Sequence, residues 1–234
     1  MNHSFKEIKR YIKYILSEGV NDPYNNKLVL FMGPPGAGKS TIINTLKSLG
    51  LKHSTPDDFL EHAINKEYIQ TNRADSQADA LSKFSDDILS SDSNSHRSLS
   101  LGRAKKRLNI WFENQLGIVM EGTGSYPDWY QNEIIDVYGE NYDIIVVMLY
   151  EDLNICLERN KKRGNEGGRA LPESIVKQVH QGFIDNYNGF KSLADNNPGS
   201  EFITICGDES YNEVLINQVD RKKGLALIRA ALKR

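Results

Sequence analysis

The sequence predicts a doubly wound α/β fold built on a parallel sheet of about five strands. Two observations carry this. The first is residues 33–41, GPPGAGKST, set between an apolar run (LVLFM, 28–32) and an apolar-periodic stretch (TIINTLKSLG). That is a glycine-rich strand-to-helix turn of the kind that cradles phosphate. The second is the alternation of short apolar runs with helical patterns. The runs are LVLFM, LKHST (51–55), GIVME (117–121), DIIVVMLY (143–150) and EFITIC (201–206). Near-continuous apolar strands between helices belong to a parallel sheet covered on both faces. In such sheets ligands lie at the carboxyl ends of the strands.

Ahead of the first strand, residues 1–26 are expected to form an amphipathic helix and lead-in. Phe5, Ile8, Ile12, Ile15 and Leu16 recur on one helical face, and Gly19, Asn21, Asp22 and Pro23 end it. Residues 27–206 form the core. Within it, the Ser-rich stretch SSDSNSHRSLSLG (90–102) reads as a flexible loop or mobile lid, with a helix resuming over 102–115. Trp111 and Phe112 on that helix read as core. The tail, 207–234, ends in VDRKKGLALIRAALKR, a basic surface helix broken or entered at Gly224. No repeat or clear linker divides the chain, so one domain over 1–234 is expected.

Composition narrows the function. The formal net charge of the 234 residues is −2, so no global polybasic signature points to nucleic acid. The two cysteines, Cys156 and Cys206, fall in apolar patterns without metal spacing and read as buried reduced thiols, consistent with a cytoplasmic protein. No apolar run approaches the ~20 residues of a membrane helix, so no membrane partner is expected.

The loop residues each have a chemical task. Gly33, Gly36 and Gly38 let backbone N–H groups turn toward phosphate oxygens, and Pro34, Pro35 and Ala37 complete the nucleotide-binding loop. A helix starting near Lys39 points its positive end at the same anion. Lys39 reaches the outer phosphates, and the Ser40 hydroxyl, followed by Thr41, can ligate Mg²⁺. ATP and Mg²⁺ are therefore the expected cofactors. A GTPase would carry a base-recognition NKxD on a late strand, and none of the NK pairs fits. A motor would end its third strand in Asp-Glu, whereas this one ends GIVMEGTG. A kinase needs an acid after the second strand and a mobile arginine-bearing lid. Asp57 and Asp58 supply the acid. One can take the proton of an attacking hydroxyl while the other caps a helix. EDLNICLERNKKRGNEGGRALPES (151–174) supplies the lid. Arg159 and Arg163 share a helix face, Gly164, Gly167 and Gly168 act as hinges, and Arg169 lies beyond, before Pro172.

GPPGAGKST, DDF, VMEGTG and the arginine segment together resemble the zeta-toxin family of P-loop kinases. LERNKKRG followed by RALPESIV is also similar to the kinase domain of phage-type polynucleotide 5′-kinase. The resemblance covers roughly 27–190 and implies a P-loop kinase fold with an arginine lid. It implies Asp57 as catalytic base, Glu121 and Thr123 as substrate-site acid and hydroxyl, and Arg159 and Arg163 as lid arginines. It further implies Arg169 as an arginine on ATP phosphates and Arg103 as a substrate-site arginine. Asp58 is the weaker acid, and Asp57 or Glu121 joins Ser40 at the metal. A zeta-type enzyme acts on a sugar nucleotide and pairs with an antitoxin, which one chain does not display.

Three functions follow as expectations. One is an ATP/Mg²⁺ phosphotransferase acting on a sugar nucleotide or similar small hydroxyl compound. Another is a nucleic-acid kinase acting on a 5′-hydroxyl or hydroxymethylated base, suggested by RAKKR (103–107), RNKKR (159–163) and the tail. The third is a non-catalytic ATP-binding regulatory module. Tyr126 and Trp129, directly after EGTG, are candidates to stack on a base or sugar.

Overall fold

The computed structural model describes residues 22–90, 92–207 and 210–234. The expected N-terminal helix falls largely in 1–21, outside the described residues. Five parallel strands form one sheet: β1 (Lys27–Met32), β2 (Lys52–His53), β3 (Ile118–Gly122), β4 (Asp143–Tyr150) and β5 (Glu201–Cys206), in the order β2-β3-β1-β4-β5. β1 lies centrally, with Leu30 opposite Met120 on one side and Val146 on the other. Its side chains alternate between faces, as pleating requires. Leu28, Leu30 and Met32 join one apolar core with Trp111, Phe112 and Phe183, and Val29 and Phe31 join the other with Ile43, Leu46 and Ile205.

The helices are α1 (Lys39–Ser48), α2 (Pro56–Ile64), α3 (Gln77–Lys83), α4 (Ser85–Leu89), α5 (His96–Glu113), α6 (Pro127–Tyr130), α7 (Asp136–Tyr138), α8 (Leu153–Asn165), α9 (Glu173–Asp185), α10 (Tyr187–Asp195) and α11 (Arg221–Ala231). Single π-helical turns extend α2 over Asn65–Ile69 and α6 over Gln131–Ile135. Leu60, Ile64, Tyr68, Ala80 and Ile88 make a third, separate apolar cluster. The insertion between β2 and β3 thus packs on itself at the β2 edge of the sheet.

Three expectations are corrected. The strand expected over 51–55 pairs only at Lys52 and His53, because Thr55 leaves the sheet to cap α2. The stretch expected as loop to 102 is helical from His96, because the Ser95 hydroxyl accepts from Ser98 N–H and starts α5 six residues early. Gly224 does not break the tail helix. Asp220 caps α11 at Lys223 N–H, and Gly224 is buried where a Cβ would lie 2.5 Å from Ile205. Both cysteines are free and buried as expected.

Candidate functional site

The loop after β1 has the form its sequence requires. Gly36 and Gly38 hold φ of 84° and 85°, which an L side chain adopts only under strain. A Cβ on Gly36 would meet the Cys156 carbonyl at 2.4 Å, and one on Gly38 would meet Arg221 Nη1 at 2.6 Å. Gly33, Pro34 and Ala37 are buried, Pro35 is half-buried, and Ser40 and Thr41 are exposed in the first turn of α1. That turn has no side-chain cap and no acid, so the positive helix end is left for an external anion. Lys39 folds back across the loop. Its Nζ donates to the carbonyls of Gly33 at 2.7 Å and Pro34 at 3.2 Å, and lies 3.6 Å from Glu121. Burial pushes the Lys39 pKa below the ordinary lysine value, while Glu121 and, more weakly, Asp57 oppose the shift. Both acids are therefore in electrostatic reach of the ammonium.

Glu121, at the end of β3, also meets His53 Nε2 at 3.4 Å. Burial would raise its carboxyl, but His53 and Lys39 outweigh it and hold the group below the usual carboxylate range. Apart from the contact of His53 Nε2 with Glu121, neither the His53 ring, at Nδ1, nor the neighbouring Ser54 hydroxyl has a hydrogen-bond partner, though both side chains are buried. These orphaned polar atoms stand at the carboxyl end of β2, beside the loop. No motif pointed to them; their position just past a strand end was the available signal.

The two adjacent aspartates divide the work. Asp58 closes a capping box: its N–H donates to Thr55 Oγ1 at 3.1 Å and its carboxylate accepts from Thr55 N–H. Its carboxylate is thereby engaged at the helix end. Asp57 is half-exposed and ion-paired with Arg169. One turn on, Glu61 pairs with Arg163 at 3.1 Å. Two acids spaced i,i+4 on α2 thus meet two arginines of the segment after β4. Arg159 does not join them. It lies between Glu151 at 2.8 Å and the Gly36 carbonyl at 3.1 Å, so the three arginines do not converge on one point. The hinge expectation is also revised: Gly164 lies inside α8, and the chain turns at Gly167, φ 80°. Asn160 ties the segment back by exchanging two hydrogen bonds with Leu171, at 2.8 and 2.9 Å.

On the other side, Thr123 and Ser125 are hydrogen-bonded at 3.1 Å and open onto a cleft of about 520 Å³ lined also by Tyr126, Asp128, Trp129 and Asn186. Tyr126 is 72% exposed and Trp129 49%. Tyr130, the buried wall of this cleft, has its phenol pushed up by burial and by Glu121. Arg103 lies exposed on α5, one turn before Arg107, whose guanidinium stacks 4.6 Å above Phe59.

The residues fit a nucleotide polyphosphate: glycines without Cβ, an uncapped helix start and a buried ammonium share one loop. For Mg²⁺ the fit is through Ser40, because this ion keeps most of its shell as water and phosphate oxygen. Asp57 or Glu121 is expected to join Ser40 there, directly or through water. Each is engaged by a cation, and among the described residues no three acidic, His or Cys side chains cluster as a metal site.

Residues 28–185 match the model of the AAA_33 family, described as an AAA domain. No curated protein matches the sequence. Among solved structures, a chain from the PezAT chromosomal toxin–antitoxin system of Streptococcus pneumoniae superposes with a TM-score of 0.57 at 14% identity, covering 99% of this chain and 97% of that one. A Chloroflexus aurantiacus protein described as a kinase gives 0.51 at 13% identity, over 88% and 98%. A chain of the Pnkp1/Rnl/Hen1 RNA repair complex gives 0.50 at 13%, over 90% and 78%. At these identities the likeness is one of fold: a P-loop kinase-type α/β sheet.

Proposed function

The chain belongs to the AAA_33 family, and from that membership and its loop geometry we propose that it is an ATP- and Mg²⁺-dependent phosphotransferase with a hydroxyl acceptor. The observation that carries the reading is Asp57. It is a half-exposed carboxylate just past the β2 strand end, within electrostatic reach of Lys39 and held by Arg169. In the proposed reaction the acceptor oxygen attacks the γ-phosphorus, the bond to the β–γ bridging oxygen breaks, and the acceptor proton passes to the Asp57 carboxylate. Lys39 leaves the Gly33 and Pro34 carbonyls for the phosphate oxygens. Arg169 and Arg163, released from Asp57 and Glu61, offset charge on the transferring group. Mg²⁺ held at Ser40 would supply further charge neutralisation. Arg159, bonded to Glu151 and to the Gly36 carbonyl, supports the loop in this reading.

The acceptor is proposed to be a sugar nucleotide or similar small hydroxyl compound, with Glu121 and Thr123 binding it and its ring on Tyr126 and Trp129 in the cleft. A second reading, a nucleic-acid acceptor, is favoured by α5. Arg97, Arg103, Lys105, Lys106 and Arg107 stand there against the lone acid Glu113, and Arg107 is held over the Phe59 ring of α2. Phosphate contacts from that face would make binding steeply salt-dependent. The likeness in fold to a chain of a toxin–antitoxin system makes an antitoxin partner part of the first reading.

The test is label transfer from γ-labelled ATP to a pool of nucleotide sugars and, in parallel, to 5′-hydroxyl and hydroxymethylated oligonucleotides. Wild type is run beside Asp57→Asn, which is expected to keep ATP binding and lose transfer. Label in the sugar arm supports the first acceptor, and label in the oligonucleotide arm the second. ATP binding with no acceptor labelled would favour a regulatory module, and near-normal turnover by Asp57→Asn would remove Asp57 as base.

A further inference from the structure

A buried carboxylate behind the phosphate loop takes no part in the chemistry above. Glu151 directly follows β4, and its side chain is 2% exposed. Its Oε2 accepts from Arg159 Nη1 at 2.8 Å and from Arg221 Nη2 at 2.7 Å, and its Oε1 accepts from the Ser210 hydroxyl. The same two arginine nitrogens donate to consecutive loop carbonyls. Arg159 Nη1 reaches Gly36 O at 3.1 Å, and Arg221 Nη2 reaches Ala37 O at 2.8 Å. Burial would raise the Glu151 carboxyl, yet Ser210, Arg159 and Arg221 outweigh it and hold it low.

The surroundings are shaped to this cluster. A Cβ on Gly207 would fall 1.9 Å from Glu151 Oε1, and one on Gly38 would fall 2.6 Å from Arg221 Nη1. Both glycines give the space the three side chains occupy. Successive peptide groups in a tight loop must aim their carbonyls and N–H groups in different directions, and each needs a partner. The peptide after Gly36 closes on the loop itself, its N–H on Ala37 donating to Pro34 O at 3.2 Å, whereas the Ala37 carbonyl held by Arg221 turns the N–H of its own peptide, on Gly38, the opposite way, where a phosphate supplies the acceptor. The cluster also carries two cations against one anion, so it adds positive field at the loop instead of cancelling it.

We propose that Glu151, Arg159 and Arg221 form a brace on the carbonyl side of the loop, which makes Arg221 of the C-terminal helix a positioning residue for the nucleotide phosphates. This rests on the nucleotide-binding half of the proposed function and is independent of the acceptor. Arg221 acts through the backbone of Ala37, 184 residues away, and the tail helix becomes part of the nucleotide site.

The test measures binding of ATP and of inorganic tripolyphosphate, which has no base, to the full chain, together with thermal unfolding. Arg221→Gln is expected to weaken both ligands by about tenfold or more, the scale of a lost charge-assisted hydrogen bond. Arg221→Lys keeps the charge but not the fork that reaches Glu151 and Ala37 together, and is expected to stay deficient. Ser210→Ala removes a bond to Glu151 that does not touch the loop; it should lower thermal stability and leave both affinities intact. Glu151→Gln should behave as Arg221→Gln. The brace is overturned if Arg221→Lys restores full affinity. It is equally overturned if Ser210→Ala weakens the ligands as much as Arg221→Gln, or if only ATP and not tripolyphosphate is affected. Failure of the wild type to bind either ligand would overturn the nucleotide reading and the brace with it, whereas binding without phosphate transfer leaves the brace standing.

Discussion

Gly36→Ala tests whether the phosphate loop is locked against α8. Gly36 and Gly199 share φ of 84°, so adding a methyl at either incurs the same backbone term, about 1–2 kcal/mol for an L residue in the left-handed region. Their surroundings differ. At Gly199 the new Cβ meets nothing within 4 Å. At Gly36 it would lie 2.4 Å from the Cys156 carbonyl oxygen and 2.8 Å from the Cys156 Cα. Those are backbone atoms of a helix whose Cys156 side chain is itself fully buried, so they cannot rotate away. Overpacking of this kind costs about 1–3 kcal/mol. Gly199→Ala is therefore expected to lose about 1–2 kcal/mol and Gly36→Ala about 2–5 kcal/mol. At about 2–4 °C per kcal/mol for a chain of this size, the excess at Gly36 is roughly 2–12 °C in Tm. Thermal unfolding with and without ATP is the assay. ATP at a hundred times its Kd stabilises a binding-competent chain by about 2.7 kcal/mol. Wild type and Gly199→Ala should show that shift, and Gly36→Ala should lose most of it. A Gly36→Ala protein that melts with Gly199→Ala and keeps the ATP shift would refute the reasoning.

Three further outcomes are expected. Trp129→Ala, at a half-exposed wall of the cleft, should raise the KM for the acceptor and leave the KM for ATP unchanged; a parallel rise in both would take the acceptor out of the cleft. Arg169→Ala should cost transfer about 10³-fold or more if the arginine offsets phosphoryl charge. It should lower stability only modestly by comparison: the pair with half-exposed Asp57 contributes little, and the loss is mainly the packing of an arginine that is 18% exposed; single-turnover kinetics and a melt separate the two, and a large loss of stability with transfer intact would make Arg169 structural. Burial pushes the Cys156 thiol up to about 12 and the Cys206 thiol up to about 11, from an ordinary value near 9.0. The unfolded thiols ionise first, so stability should be unaffected below that ordinary value and decline as pH rises through it. Iodoacetamide at neutral pH should modify neither cysteine until the chain is unfolded, and rapid native labelling would show the thiols to be accessible.

The β4 and β5 boundaries were legible to the residue, since DIIVVMLY and EFITIC each open on an acid and are stopped by a residue that ends an apolar run, Glu151 after the first and Gly207 after the second. LKHST was over-read for a definable reason. An edge strand has one neighbour, so little pairing is lost when Thr55 exchanges the sheet for the N-cap of α2. The Ser-rich stretch shows the converse error. Serine content signals loops on average, but one serine at the right place is a helix start, and Ser95 also donates to the Ser90 carbonyl at 2.8 Å to fix the entering chain. Composition averages over positions, whereas capping depends on one.

The site divides along the same line between what is local in sequence and what is not. GPPGAGKST could be read because its residues act on one another through adjacent peptide groups, and α1 begins where the motif requires. The arginines were found by type, yet their partners were out of reach of any pattern. Which carboxylate takes Arg159, Arg163 or Arg169 depends on how α8 lies against α2 and β4, and spacing along the chain does not encode that. Arg221 is the extreme case. In sequence it is one cation in a basic tail, and a solvated surface helix was the natural reading. What draws it inward is Glu151, a single acid past the end of an apolar strand, buried where an unpaired charge would be costly. A carboxylate immediately after a parallel strand is thus the sequence feature with information still in it. It stands at the ligand edge of the sheet, and if the next helix buries it, cations must come to it from elsewhere in the chain.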